Sequence, residues 1–212
     1  MSQELGKIEK PPVESFKKGR KIFFVPVIYL VDDSPEDYLE KVDRYWEQVE
    51  KQIAELATKL GDVNKIYHEL IAITGEDGAA TLKDLNKSGY KMVQACLDKK
   101  ATLEAMEDAE LLTEFMDWSR CLMAGLQNPH VITKIYDSYV DVGKKRNEAI
   151  ARKIDESLNE NEIGIVLMRE NHQVQFPADI QIFYVAPPAL DEIKRWLREN
   201  ERKDNESTGD EK

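Results

Sequence analysis

Short apolar runs alternate along the chain with long amphipathic stretches, a pattern typical of strands and helices taken in turn. The apolar runs are of strand length, rich in β-branched and aromatic residues, and mostly bounded by polar or charged residues. They predict five strands, over residues 22–31, 63–70, 101–106, 163–168 and 180–185. Pro26 lies inside the first run, and because proline lacks a backbone donor it predicts an edge position or a bulge for that strand.

The amphipathic stretches carry apolar side chains at three- and four-residue steps, which predicts helices with one buried stripe. The best marked helix starts after Ser34, with Pro35 at its first position, and ends at Gly61. A turn is expected at 75–78. Further helices are predicted over residues 79–85, 90–97, 109–126, 129–158 and 190–198, with Gly143 as a bend or break in the fifth of these six helices.

This order of elements predicts an α/β fold. We expect a single three-layer domain, with a mostly parallel sheet of about five strands and helices on both faces. A chain of 212 residues suits one domain, placed here over residues 21–198. Residues 1–20 are expected to form a polar N-terminal arm and residues 199–212 a disordered charged tail, because the tail is almost wholly charged or small and polar.

Charge and composition narrow the function classes. The formal net charge is -11, so the electrostatic attraction that drives non-specific nucleic-acid binding would be a repulsion here, and no nucleic-acid partner is expected. The most apolar run falls well short of the roughly 20 residues of a membrane span, and no membrane association is expected. The first residues lack the pattern of a secretory signal, and Cys96 and Cys121 have no partner at zinc-ligand spacing, so we expect a cytoplasmic protein.

Ionisable residues follow four of the predicted strands. In a parallel sheet the carboxyl ends of the strands share one edge, where ligands collect. The residues at these ends include Asp32 and Asp33; His68 and Glu69; Glu104, Glu107 and Asp108; and Arg169, Glu170, Asn171 and His172. Because His68 and Glu69 are neighbours on a strand and point to opposite faces, at most one faces a common site, and we favour Glu69. The alternative is that loops are polar wherever strands reach the surface, and that Asp33 simply favours a helix start.

Residues 144–185 combine an Arg-Asn pair, a helix, an apolar strand and then a histidine. Arg146 and Asn147 lie about one helical turn ahead of Ile150, and His172 follows the strand. This arrangement resembles the carboxyl half of the TraB, ChaN and erythromycin-esterase-like superfamily, in which a helix with Arg-Asn or Arg-Asp precedes a strand ending in Gly-x-x-His and a glutamate ends an earlier strand. The superfamily includes metal-dependent hydrolases and haem- or pheromone-related proteins.

The resemblance implies a set of site residues. Glu69 matches the early glutamate by position, Glu107 matches a second one, and Arg146, Asn147 and His172 match the later motif. The chain also departs from the superfamily pattern: VDDSP stands where the first Gly-x-x-His is expected, and Arg169 stands three residues before His172 in place of glycine. A divalent metal would then depend on Glu69 and His172, with Asp32 or Asp33 as a substitute oxygen ligand.

Two functions follow from these residues. We favour a non-catalytic binding or regulatory protein that kept the fold and lost the full metal set, with a second copy of the chain or another protein as its partner. The alternative is a metal-dependent hydrolase with an acidic pocket, in which Glu69, Arg146 and His172 are catalytic. Glu69 would be a base or metal ligand, His172 an acid-base group or ligand, and Arg146 the cation that holds a substrate carboxylate. Further binding candidates are Asp32, Asp33, Glu107, Asn147, Arg169 and Glu170.

Overall fold

The computed structural model describes residue 16 and residues 18–30 and 33–207. Most of the predicted N-terminal arm and the last residues of the predicted tail lie outside the described residues. The described strands are β1 (Lys21–Pro26), β2 (Lys65–His68), β3 (Thr102–Glu104), β4 (Ile163–Met168) and β5 (Gln181–Tyr184). They pair in the order β3-β2-β4-β1-β5, and each pairing is parallel. The predicted α/β class and parallel sheet are confirmed.

Helices cover both faces of the sheet. They are α1 (Glu36–Leu60), α2 (Gly75–Leu85), α3 (Lys87–Leu97), α4 (Ala109–Met123), α5 (Pro129–Ser157) and α6 (Pro188–Ser207). One core cluster joins α1, α2, α3 and α6 to the sheet, with Phe23 and Ile165 among its fully buried members. A second cluster lies on the other face, where Ile150 and Ile154 of α5 pack against Phe24. The three-layer arrangement of the prediction is therefore present.

Strand β1 is shorter and more central than the sequence predicts. It ends at Pro26, and it lies between β4 and β5, so the predicted edge position is wrong. Pro26 fits there because β5 pairs with β1 only as far as Phe24, and the last bond on that side runs from the Val185 N–H to the Phe24 carbonyl. The missing proline donor thus falls where the neighbouring strand has already ended.

Several helix boundaries also differ from the predicted ones. The expected turn at 75–78 is the first turn of α2, and the break between α2 and α3 lies at Asn86, whose side chain accepts the Gly89 N–H. Helix α5 runs unbroken through Gly143, and α6 continues past Arg198 to Ser207. The boundary at Asn86 reflects a side-chain cap, and the single glycine inside α5 does not break a long helix.

Helices α4 and α5 form a hairpin that extends beyond the carboxyl edge of the sheet. Helix α5 has 29 residues, about 43 Å at 1.5 Å per residue, whereas β4 spans about 20 Å. The buried residues of α5 begin at Val142, and none of the residues of α4 is buried. The first half of α5 and all of α4 therefore stand away from the sheet and support each other.

Candidate functional site

A cavity of about 790 Å³ lies at the carboxyl edge of the sheet, between α5 and the loop that follows β4. Strands β2 and β4 both end at this edge, where they are parallel and His68 pairs with Leu167. Five predicted site residues line this cavity: Glu69, Arg146, Asn147, Arg169 and His172. Residues that are remote along the chain are thus brought around one shared space.

Glu69 lies at the floor of the cavity and is held on several sides. Its Oε1 accepts hydrogen bonds from the Tyr29 hydroxyl and from the Arg169 backbone N–H, each at 3.1 Å. The Arg169 side chain pairs with the same carboxylate: its Nε donates to Oε2 at 3.4 Å and lies 3.1 Å from Oε1. Burial raises the pKa of the Glu69 carboxyl, and the positive charge of Arg169 opposes that rise. Glu69 is therefore a desolvated carboxyl group, and its Oε1 already has hydrogen-bond donors within the protein.

Arg146 and Glu107 form a buried ion pair beside Glu69. The guanidinium donates through Nε to Glu107 Oε2 at 2.9 Å and through Nη2 to Oε1, a two-bond contact that suits the planar fork of arginine. Glu107 also accepts the Leu70 backbone N–H at 3.1 Å, and the Phe115 ring lies 4.9 Å from the Arg146 guanidinium carbon. Only 7% of the Arg146 side chain and none of the Glu107 side chain is exposed.

One nitrogen of Arg146 stays available to a ligand. Nη1 has no hydrogen-bond partner among the described residues, yet it is not among their fully buried unpartnered atoms. Because Arg146 lines the cavity, this nitrogen faces the open space. The predicted role of Glu107 changes accordingly: its carboxylate does not line the cavity but neutralises and orients Arg146.

His172 is placed as an aromatic wall residue. Its ring centre lies 4.9 Å from that of Phe24 and 5.6 Å from that of Phe176. Its Nδ1 accepts the Val174 N–H at 3.2 Å, which leaves the ring proton on Nε2. Burial lowers the pKa of His172, so the neutral form is favoured. No carboxylate of the described residues bonds to this ring, unlike the arrangement that orients a catalytic histidine.

The remaining predicted residues lie elsewhere. Glu170 is bound by the Tyr184 hydroxyl at 2.6 Å and by Lys194 on α6, outside the cavity. Asp33 is exposed in the loop after β1 and does not line the cavity, and Asp32 lies outside the described residues. His68 does not line the cavity: its Nδ1 bonds to the Glu69 backbone carbonyl, its Nε2 lies 3.5 Å from the Asn86 amide nitrogen, and burial lowers its pKa to about 4. The alternation of His68 and Glu69 across the sheet agrees with the prediction.

The donor set of the cavity does not fit a divalent metal. Within the described ranges, no three His, Cys, Asp or Glu side chains converge as metal ligands would. Glu69 Oε1 already accepts from Tyr29 and Arg169, and His172 Nδ1 already accepts from Val174. The substitute oxygen ligand Asp33 lies outside the cavity. A positively charged ion would also lie beside two arginines, which repel it.

Sequence reasoning missed the aromatic part of the site and two of its amides, Gln173 and Gln175. Phe115 and Tyr139 stack at 4.9 Å and line the cavity with Tyr136. The amide side chains at the cavity have no hydrogen bonds of their own within the described part of the chain: Asn147, Asn171, Gln173 and Gln175. Helical spacing offered a signal, since Tyr136, Tyr139 and Gly143 precede Asn147 at three- and four-residue steps and so share its face of α5.

Comparison of the chain with family models, with curated proteins and with solved structures finds no match. None of the helices in the described ranges is both long and apolar enough to be a membrane span.

Proposed function

We propose that this chain is a non-catalytic binding protein whose cavity takes a small organic acid. The observation that carries the proposal is the imbalance of hydrogen-bonding groups in the cavity. The buried carboxylates of Glu69 and of the neighbouring Glu107 are already engaged by arginines, whereas Arg146 Nη1 and both terminal nitrogens of Arg169 have no partner among the described residues. The lining also holds one exposed carboxylate, Glu148, together with the exposed cation Lys144. A ligand carboxylate would accept from these donors, which are charged and oriented in advance.

The rest of the cavity favours a ligand with a flat apolar body. Phe115, Tyr136 and Tyr139 form one wall, and Met168 contributes to the opposite side near the sheet. Ligand sites are typically apolar with a small number of placed polar groups, and the unbonded amides of Asn147 and Asn171 supply such groups here. An aromatic acid satisfies both parts of the cavity.

The state of the carboxylates supports binding over hydrolysis. A general base or metal ligand needs a free oxygen lone pair within reach of the substrate. Glu107 is turned away from the cavity by its two bonds to Arg146, and both Glu69 oxygens have donors, Oε1 from Tyr29 and the Arg169 N–H and Oε2 from Arg169 Nε. The third carboxylate nearby, Glu148, is exposed in the lining, where water solvates it. His172 lacks an orienting carboxylate within the described residues. The geometry therefore gives the metal-dependent hydrolase less support than the binding protein.

A matched pair of probes tests the ligand class. Phenylacetate and phenylacetamide have nearly the same shape and differ in charge, so we expect millimolar phenylacetate to raise the melting temperature and the amide to leave it unchanged. The Arg169→Gln variant should lose this response, because the half-exposed Arg169 supplies ligand donors. Exposed Arg195 on α6 gives the control, and Arg195→Gln should respond as the unchanged chain does. Equal shifts from both probes, or none from either, would contradict an acid-binding cavity.

Metal titration tests the hydrolase alternative separately. Melting curves of untagged protein with manganese, zinc or EDTA should coincide if no ion binds the folded state. A rise in melting temperature with one metal that Glu69→Gln abolishes would favour the hydrolase and count against the proposal.

A further inference from the structure

The hairpin of α4 and α5 carries apolar surface that its own two helices do not cover. Phe115 and Tyr139 stack between the helices, and Leu111 and Ile135 are partly buried with them. These residues account for the inner contact of the hairpin. Apart from Val131 at the tip, the exposed large apolar side chains of the two helices are a different set: Met116, Met123, Ile132, Tyr136 and Val140. We call these five residues the hairpin face.

The hairpin face lies on one side of the hairpin. In each helix most face residues come one position after an inner residue. The inner and face residues pair as Phe115 and Met116, Leu122 and Met123, Ile135 and Tyr136, and Tyr139 and Val140. Ile132 lies one helical turn before Tyr136. One residue turns a helix by about 100°. Viewed from one end of the hairpin, a step of one residue turns clockwise in one helix and anticlockwise in the other, because the helices are antiparallel. Starting from inner residues that face each other, this step therefore carries the exposed residues of both helices to the same side of the hairpin. Ser119, between Met116 and Met123, and Gly143, after Val140, add no charge. Arg120 borders the face on α4 and is paired with Asp117 at 2.7 Å.

The opposite side of the hairpin is polar. It carries Glu114 on α4 and Lys134, Asp141 and Lys145 on α5, with Lys145 paired to Asp141 at 2.6 Å. An isolated hairpin in water would have no reason to make one side apolar and the other charged. A contiguous apolar surface of this kind marks an interaction site.

We infer that two copies of this chain associate through the hairpin face, forming a four-helix arrangement. The side chains of the face, extended by Leu126 and Val131 at the tip, are 37% to 75% exposed. Taking about 200 Å² for a large side chain, they expose on the order of 600 Å², against about 800 Å² per partner in an interface of standard size. Two-fold symmetry pairs a face with its own copy, so an apolar face meets an apolar face.

Charge favours this face over the rest of the surface. The chain carries a formal net charge of -11, so contact between two copies is opposed wherever acidic surfaces meet. The hairpin face holds no ionisable side chain other than the Tyr136 phenol, and association there buries no carboxylate. The N-terminal segment is a poorer occupant, because Phe16 packs on Phe183 and Gly19 bonds to Asn161 at the amino end of the sheet, opposite the hairpin.

Association would also complete the cavity. Tyr136 and Val140 belong to the hairpin face and line the cavity as well. A second copy on the face would cover the outer side of these residues and narrow the opening of the cavity. The paired chain would therefore present a more enclosed site than a single chain does.

Sedimentation velocity of the full chain tests the inference. At concentrations on the order of 1 to 100 μM we expect a species of twice the 24.4 kDa chain mass. Met123→Glu and Ile132→Glu lie on the face but away from the cavity, and each should convert the dimer to monomer with its circular dichroism unchanged. Lys134→Glu, on the polar side of the same helix, is the matched control and should remain dimeric.

Two results would overturn the inference. One is a chain that is monomeric at every concentration, including a monomer that binds lipid vesicles through the face. The other is a dimer that survives both Met123→Glu and Ile132→Glu, since association would then use another surface.

Discussion

Removing Arg146 should destabilise the fold far more than removing an arginine or lysine at the surface. The Arg146→Met variant keeps much of the aliphatic volume and deletes the guanidinium. In this variant the fully buried Glu107 carboxylate keeps one hydrogen bond among the described residues, from the Leu70 backbone N–H. Breaking a buried pair from one side costs about 3 to 5 kcal/mol, because the other charge stays buried without compensation.

A double variant separates the cost of the unpaired charge from the value of the pair. Arg146→Met combined with Glu107→Leu removes both charges, and replacing a buried pair by apolar residues is often neutral or stabilising by about 1 to 4 kcal/mol. We therefore expect the double variant to be more stable than Arg146→Met alone. The exposed pair of Lys145 and Asp141 is the control, and Lys145→Met should change the free energy of unfolding far less than Arg146→Met, because water screens that pair.

Urea unfolding at neutral pH, followed by tryptophan fluorescence and circular dichroism, measures five free energies of unfolding: those of the unchanged chain, the three variants above and Glu107→Leu alone. The reasoning fails if Arg146→Met costs no more than Lys145→Met, since Glu107 would then have found water or another donor. It also fails if the double variant loses as much as the two single variants combined, because the two residues would not be coupled.

Four further predictions concern pH and packing. His68 has a pKa of about 4 in the folded chain, whereas an unfolded histidine takes up a proton near pH 6.5. The free energy of unfolding should therefore fall by about 3 kcal/mol as the pH drops from 6.5 to 4. His68→Gln should flatten that part of a plot of urea midpoint against pH. Glu69 has a raised pKa, so its contribution is lost as the pH rises, and Glu69→Gln should melt higher than the unchanged chain at pH 7, with a gap that closes toward pH 4.5. Gly143→Ala should stabilise by about 0.5 to 1 kcal/mol in thermal or urea unfolding, because it lies inside α5 with its new carbon 3.4 Å from the Phe115 ring. Gly89→Ala should destabilise in the same assays, since its new carbon would meet Trp46 at 2.8 Å.

The sequence predicts elements well where the local pattern and the tertiary structure agree. Strand β4 has the predicted bounds, and α1 ends at the predicted glycine, Gly61. The apolar run 27–31 after β1 also has a strand composition, but β5 no longer pairs with β1 beyond Phe24 and the ladder stops at Pro26. Where a strand ends depends on the length of its neighbours, which are distant along the chain and leave no mark in the local pattern.

For the site, too, the sequence predicts some placements and leaves others open. The rule that strand ends share an edge correctly brings Glu69 and His172 to one cavity with Arg146. It cannot tell which residue of a loop turns inward, and Glu170 turns outward to Lys194 although both of its neighbours in the chain, Arg169 and Asn171, line the cavity. The aromatic wall was missed because its residues lie on the part of the hairpin beyond the sheet. The one sequence signal for it is that Tyr136 and Tyr139 share the face of α5 that carries the predicted residue Asn147.

The pairing of Arg146 explains how one residue can serve both stability and binding. A guanidinium has five N–H donors, and Glu107 uses the edge formed by Nε and Nη2, which fixes the plane of the group. The Nη1 donors are then held at the cavity without a carboxylate of their own among the described residues. A ligand acid that binds there meets an arginine whose desolvation and ordering were completed on folding, so little of the binding energy is lost in organising the site. Arg146→Lys should therefore weaken binding of phenylacetate even where the fold survives, because a single ammonium cannot hold Glu107 by two bonds and present a second, oriented edge to the ligand.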